Sequence, residues 1–249
     1  MTRTAAVAAI PTTAGRPLRA NLDQWMCWWS IPIFYNLFGL IFVYFTKLMP
    51  PPSPGLTQDE IVVFIRTNAT NLQIGFVLLA LTLGLASLSS GIIVVQMRRM
   101  SSARVLAYAY LAVLAVAALP GCLFCGFMFV LAAFRPDRDP RILVLLYDMG
   151  LLSFIGSLGC FVIQYLVFAI AIVLDKRAIF PKWLGYMSIW GLVTELVAVP
   201  TWIFRGGPYA WNGAISFWLG TAVFVVWETC LVASLYKAVK GQPIEDILA

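Results

Sequence analysis

The sequence contains no histidine, and only 11% of its 249 residues are charged. The absence of histidine excludes the usual ligand sets of haem, copper, di-iron and catalytic zinc centres, and it removes the usual general base at neutral pH. Soluble domains carry roughly 25% charged residues, so the scarcity of charge excludes a cytosolic enzyme and a disordered tail. We therefore expect neither a metal nor another cofactor.

Hydrophobic residues make up 61% of the chain, and its mean hydropathy is +0.90. This composition predicts a polytopic membrane protein whose main partner is the lipid bilayer. The net charge of +6 is typical of cytoplasmic loops that face anionic lipid headgroups, so it does not indicate a nucleic-acid partner.

Six segments are long and apolar enough to cross a hydrocarbon core of about 30 Å, which takes roughly 20 residues. We therefore predict an all-α, polytopic integral membrane protein built as a six-helix bundle. The segments are Met26–Thr46, Asn71–Gln96, Arg104–Phe134, Ile142–Leu174, Trp183–Phe204 and Asn212–Tyr236. Residues 23–237 form this transmembrane domain, and residues 1–22 and 238–249 form tails. Pro32, Pro120 and Pro200 predict kinks within three of the spans.

The loop charges predict the orientation. With a cytoplasmic N-terminus, eleven of the 17 lysine and arginine residues fall on the cytoplasmic side and six on the other. The positive-inside rule then favours two cytoplasmic termini, as an even number of spans requires. We expect a multi-pass protein of the inner or plasma membrane.

A proline-rich loop, residues 50–55, is followed by Thr57-Gln58-Asp59-Glu60, the pattern of a helix capping box. The apolar residues that follow predict a short amphipathic helix on the outer face of the bundle. It serves either as a lid that seals the bundle or as a gate for a substrate.

Polar side chains from several spans fall in one layer near the middle of the membrane. Glu195 lies roughly 18 Å and Glu228 roughly 12 Å from the cytoplasmic end, and Asn36 and Gln164 lie roughly 15 Å in. A third acid, Asp148, lies near the outer surface and is expected to form a surface salt bridge.

The two glutamates are the candidate proton or ligand site. Their spans are joined by a short loop and are therefore antiparallel neighbours, so the carboxyl groups can approach each other. With no lysine or arginine at that depth they cannot both ionise easily, and such a pair can carry a proton, bind a cation or act as a general acid. Trp190 and Trp227 can wall an apolar pocket beside them. The alternative is that the polar layer only joins helices through hydrogen bonds.

Cys122-Leu123-Phe124-Cys125 is a C-x-x-C motif within the third span. It resembles the motif of the membrane quinone–thiol oxidoreductases, which include the disulfide-bond formation and vitamin K epoxide reductase-like proteins. The resemblance implies redox-active thiols at Cys122 and Cys125. The sequence departs from that family because no second cysteine pair lies in an outer loop.

Three functional hypotheses follow from these features. The first is a protein that binds or transports a small apolar ligand with proton coupling through Glu195 and Glu228. The second is an intramembrane enzyme that protonates a lipid-soluble substrate such as an isoprenoid or sterol. The third is a non-catalytic accessory subunit of a membrane complex, and an oligomer is also compatible with the small-residue spacings.

Overall fold

The computed structural model describes residues 21–156, 161–243, 245 and 246, without the side chains of residues 117–120. Its regular structure is helical throughout this part of the chain. Six helices are long and apolar enough to cross a membrane, which confirms that prediction. They are α1 (Leu22–Phe45), α2 (Gln58–Arg98), α3 (Arg104–Phe134), α4 (Pro140–Leu174, described as Pro140–Gly156 and Phe161–Leu174), α5 (Lys182–Trp202) and α6 (Ala214–Lys240).

The six helices run up and down in chain order around a central space. Each helix contacts the next one along the chain, and α6 returns to contact α1. Two apolar clusters hold this ring together, one in each half of the bundle. The first includes Trp227 and Tyr165, and the second includes Phe42, Phe129 and Tyr147. We call the end that carries Leu22 and Lys240 the terminal end.

Polar contacts tie the turns together at the terminal end. The fully buried amide of Gln96, in α2, donates to Gln24 in α1 at 2.8 Å and to Gln242 after α6 at 3.2 Å. Arg99 forms an ion pair with Asp246 at 3.1 Å. These contacts place the beginning of α1, the end of α2 and the end of α6 side by side.

The turns that join α2 to α3 and α4 to α5 meet through Asp175. Its carboxylate accepts hydrogen bonds from the backbone N–H groups of Ser101, Arg177 and Ile179 and from the Ser101 hydroxyl. The ammonium group of Lys182 donates at 2.7 Å to each of three backbone carbonyls, those of Ile172, Val173 and Asp175. Lys182 therefore satisfies the carbonyls that the end of α4 leaves without intrahelical partners.

The prediction of a short, separate amphipathic helix is wrong. The capping box at Thr57 and Glu60 is present, but the helix that it starts continues without a break from Gln58 to Thr82. Its first turns carry Ile61 and Ile65 onto the same buried face as Leu72. The polar residues between them do not interrupt the helix, since Asn68 bonds the carbonyl of Phe64, one turn earlier, at 2.8 Å.

Prolines and π-helical turns lie at irregular points of four helices, α1, α3, α5 and α6. Helical structure continues through Pro32 and Pro120, whereas Pro200 lies in the 3₁₀ turn that ends α5. Three π-helical segments are present in the described residues: Ile41–Phe45, Leu114–Ala118 and Ala214–Leu219. Segments of this kind are frequent at functional sites.

Asp148 forms the surface ion pair that its position predicts. Its partner is Arg205, in the loop between α5 and α6, at 4.0 Å. The arginines that lie close to Asp148 in sequence do not pair with it. The packing of the helices instead brings the α5–α6 loop, which carries Arg205, to this end of α4.

Candidate functional site

A cavity of about 540 Å³ lies between the helices, within the usual size range of small-molecule sites. All six helices contribute to its wall, and α1, the second half of α2 and α6 contribute most. The lining is mainly aliphatic and aromatic. Its polar residues among the described part of the chain are Tyr35, Asn36, Ser89, Ser90, Tyr110, Cys122, Gln164, Glu195, Thr221, Glu228 and Thr229.

Glu195 and Glu228 both line this cavity. Glu195 is 5% exposed, and its Oε2 atom has no hydrogen-bond partner among the described residues. Glu228 is half-buried, and Tyr165 lies within electrostatic range of both carboxyl groups. We find no hydrogen bond between the two carboxyls within the described residues. The helices thus bring the acids to one cavity rather than into a bonded pair.

Tyrosine side chains surround Glu228. Tyr35 from α1, Tyr110 from α3 and Tyr165 from α4 each interact electrostatically with it. None of these tyrosines was predicted to belong to the site, although a phenol in the middle of an apolar segment is the signal that could have identified them. The acid is therefore set among neutral groups that can donate hydrogen bonds.

Asn36 and Gln164 line the same cavity but differ in environment. Asn36 is exposed and donates to the carbonyl of Pro32 at 2.7 Å. Gln164 is buried, its amide nitrogen donates to the Tyr110 hydroxyl at 2.8 Å, and its Oε1 atom has no partner in the described part of the chain. That orphan carbonyl can accept a hydrogen bond from a ligand or a water molecule.

The two tryptophans do not wall the cavity as the sequence suggested. Trp190 is 57% exposed on the outside of α5, because the adjacent Gly191 is the residue that packs against α4. Trp227 is buried, but its indole nitrogen donates to Ser188 at 2.8 Å and its ring packs edge-on against Tyr165. Neither is among the described lining residues.

Cys122 and Cys125 are free thiols one turn apart on α3. Cys122 reaches the cavity, whereas Cys125 is fully buried in the apolar cluster that contains Phe129. A redox role for this pair stays a prediction. Cys160 lies outside the described residues.

The cavity reaches the side of the bundle between α1 and α6. Asn36, Val225 and Thr229 line it, and all three are also exposed. On α1 the exposed face continues to Ile33 and Leu40. A molecule at the outer surface of the bundle can therefore reach the cavity through this gap.

A second, much smaller void of about 20 Å³ adjoins Glu195 near the end of α5. It is lined by Glu195 and Thr201, and Oε2 of the acid and Oγ1 of the threonine are both buried without a partner in the described residues. The volume is sufficient for one water molecule. Glu195 thus separates the main cavity from a polar void.

Among the described residues, no cluster of three or more cysteine, aspartate and glutamate side chains is arranged to hold a metal ion. Comparison of the chain with protein-family models, curated proteins and solved structures finds no match. The chemistry of the cavity itself therefore has to indicate the function.

Proposed function

We propose that this chain is an integral membrane protein that binds a small apolar ligand in its central cavity and transports it with proton coupling through Glu195 and Glu228. The observation that carries the proposal is the cavity of about 540 Å³, with a mainly apolar wall that contains two acids. A buried carboxyl without a countercharge favours its neutral form, so each glutamate can take up and release a proton as its surroundings change.

Two glycines have room for a side chain, and one of them lines the cavity. A Cβ atom added at Gly220 meets nothing within 4 Å, and this residue lines the cavity. Gly84 is equally free of neighbours, but it lies on the exposed face of α2 and away from the described lining. The same substitution at these two positions therefore separates loss of cavity volume from a general effect of the new side chain.

We expect Gly220→Phe to weaken binding of an apolar fluorescent probe by about tenfold or more, since the ring occupies the space that the probe needs. The measurement is energy transfer from tryptophan to 1-hydroxymethylpyrene in nanodisc-reconstituted protein. Gly84→Phe should bind the probe like the parent. Equal binding by all three proteins, or no saturable binding by the parent, would contradict the proposal.

We also propose that the protein lies in the cell membrane with both termini in the cytoplasm. Lysine and arginine are more frequent in the loops and tails of the terminal end than at the opposite end, as cytoplasmic loops require. Ser102 and Asp137 are exposed residues at opposite ends of the bundle.

In a cysteine-free background, Asp137→Cys should react with a membrane-impermeant maleimide in intact cells, and Ser102→Cys should react only after the cells are opened. The measurement is gel mobility after labelling. The opposite pattern would show that the protein has the reverse orientation. Reaction of both cysteines in intact cells would refute the proposed location in the cell membrane.

A further inference from the structure

The charge of the cavity wall is unbalanced. Two carboxyl groups line it, whereas no lysine or arginine is among its described lining residues and the chain has no histidine. The described cavity residues therefore supply two acidic groups without a cationic residue to pair with either of them.

Aromatic rings stand around Glu228. Tyr35 interacts electrostatically with Glu228, and Phe224 precedes this glutamate by one turn on α6. Tyr35 and Phe224 pack edge-on with centroids 5.5 Å apart, and Phe161, which also lines the cavity, lies 6.2 Å from Phe224. The faces of such rings stabilise a positive charge, and their area accommodates an apolar body. The aromatic rings and the carboxyl group of Glu228 together therefore suit the binding of a molecule that is both hydrophobic and cationic.

Electrostatics gives a reason why such a ligand is preferred. A carboxylate in an apolar cavity is costly without a partner, so the cavity alone favours the protonated acid. A bound cation supplies the missing charge and stabilises the carboxylate. Glu228 is the better placed acid, because it is half-buried and faces the rings, whereas Glu195 is almost fully buried.

We propose, on the basis of the proposed function, that the ligand is a hydrophobic monocation, such as a protonated amine on an aromatic or aliphatic body, and that it exchanges for the proton of Glu228. On binding, the O–H bond of the carboxyl breaks, the proton passes to bulk water, and the carboxylate faces the ammonium group. One proton leaves for each cation bound, so the net charge in the cavity is unchanged. The titratable groups that interact with Glu228 are Tyr35 of α1, Tyr110 of α3 and Tyr165 of α4, and Cys122 of α3 and Glu195 of α5 line the same cavity.

The test compares two probes of nearly equal shape, 1-aminomethylpyrene, which is cationic at neutral pH, and neutral 1-hydroxymethylpyrene. In nanodiscs of zwitterionic lipid the parent protein should bind the amine about tenfold more tightly than the alcohol. Glu228→Gln should remove this advantage by weakening the amine about tenfold, and it should change binding of the alcohol by less than about twofold. Asp59→Asn, which removes one exposed acid at the beginning of α2, should preserve the advantage.

Proton release gives a second measurement that needs no variant. Titration calorimetry of the parent protein in buffers of different ionisation enthalpy should show one proton released per amine bound and none per alcohol.

The outcomes distinguish this inference from the proposed function. Three results would overturn the proposed ligand class and leave the cavity as an apolar site. They are equal affinity of the parent for amine and alcohol, an equal loss of affinity for both probes in Glu228→Gln, and binding of the amine without proton release. Binding of neither probe above the level of Gly220→Phe overturns the proposed function as well.

Discussion

Gly191→Leu is expected to yield no stably folded protein. A Cβ atom at this position would lie 2.8 Å from the ring of Tyr165, so even alanine forces the two helices apart. Tyr165 cannot give way, because it is buried and the edge-on ring of Trp227 stands 4.9 Å away. Trp227 is itself held by its hydrogen bond to Ser188.

The expected size of the effect follows from the cost of overpacking. Gly191→Ala should lower the free energy of unfolding by about 1–3 kcal/mol, and leucine, with three further carbon atoms at the same contact, by more than that. Total stabilities of proteins are only about 5–15 kcal/mol. The measurement is the yield of monodisperse protein from size-exclusion chromatography in detergent, followed by thermal unfolding of the alanine variant.

Gly84→Leu is the matched control, since its side chain enters open space on the exposed face of α2. It should be recovered like the parent. Normal recovery and stability of Gly191→Leu would show that α4 and α5 are not packed as closely as described.

Asp175→Ala should destabilise the protein by about 3 kcal/mol, because it leaves several donors without their acceptor. The backbone N–H groups of Ser101, Arg177 and Ile179 lie 2.9 to 3.0 Å from its carboxylate oxygens. Burial opposes ionisation of Asp175, but the hydrogen bonds from Ser101, Ile179 and Arg177 outweigh it and hold the pKa of this carboxyl below its ordinary value. Thermal unfolding at neutral pH measures the loss.

The lowered pKa also predicts a pH dependence. In the unfolded chain an aspartate titrates near pH 4, so the stabilisation is fully present above that pH. As the pH falls from about 4 through the lower pKa of the folded state, the unfolded chain binds the proton first and the stabilisation is lost. Asp175→Asn should unfold with a shallower pH dependence in this range, whereas Asp137→Asn, an exposed loop variant, should follow the parent. Identical profiles for all three would rule out this role for Asp175.

The sequence was sufficient for the number of long apolar helices and for the order of polar groups along them. A long run of apolar residues identifies a helix that is able to cross a membrane, which is why the six segments were predictable. The capping box at Thr57 was also predictable because it depends only on neighbouring residues. The sequence did not predict that the helix beginning after Thr57 continues as the first part of α2. This continuation depends on burial of Ile65 and Leu72 against other helices.

The sequence did not determine how each helix is rotated about its axis, and this rotation decides which side chains face the cavity. Trp190 has the right depth, but it points outwards because Gly191, one residue and about 100° further on, faces α4. Glu195 lies four residues after Gly191 and so shares its buried face. Likewise Trp227 and Glu228 face different surroundings although they are adjacent. The environment of an acid is thus fixed by packing across helices, which a single sequence does not contain.

The contacts at the terminal end join the helices of the ring to one another, since Gln96 of α2 bonds both Gln24 of α1 and Gln242 after α6. Lys182 joins α4 to α5, and Asp175 joins that junction to the turn between α2 and α3.

Between α1 and α6, the indole of Trp28 donates to the carbonyl of Val232 at 3.0 Å and its ring meets Tyr236, and Tyr35 packs against Phe224 further along the two helices. All six helices are therefore fastened to one another at the terminal end, so any widening of the gap between α1 and α6 has to occur towards the opposite end of the bundle.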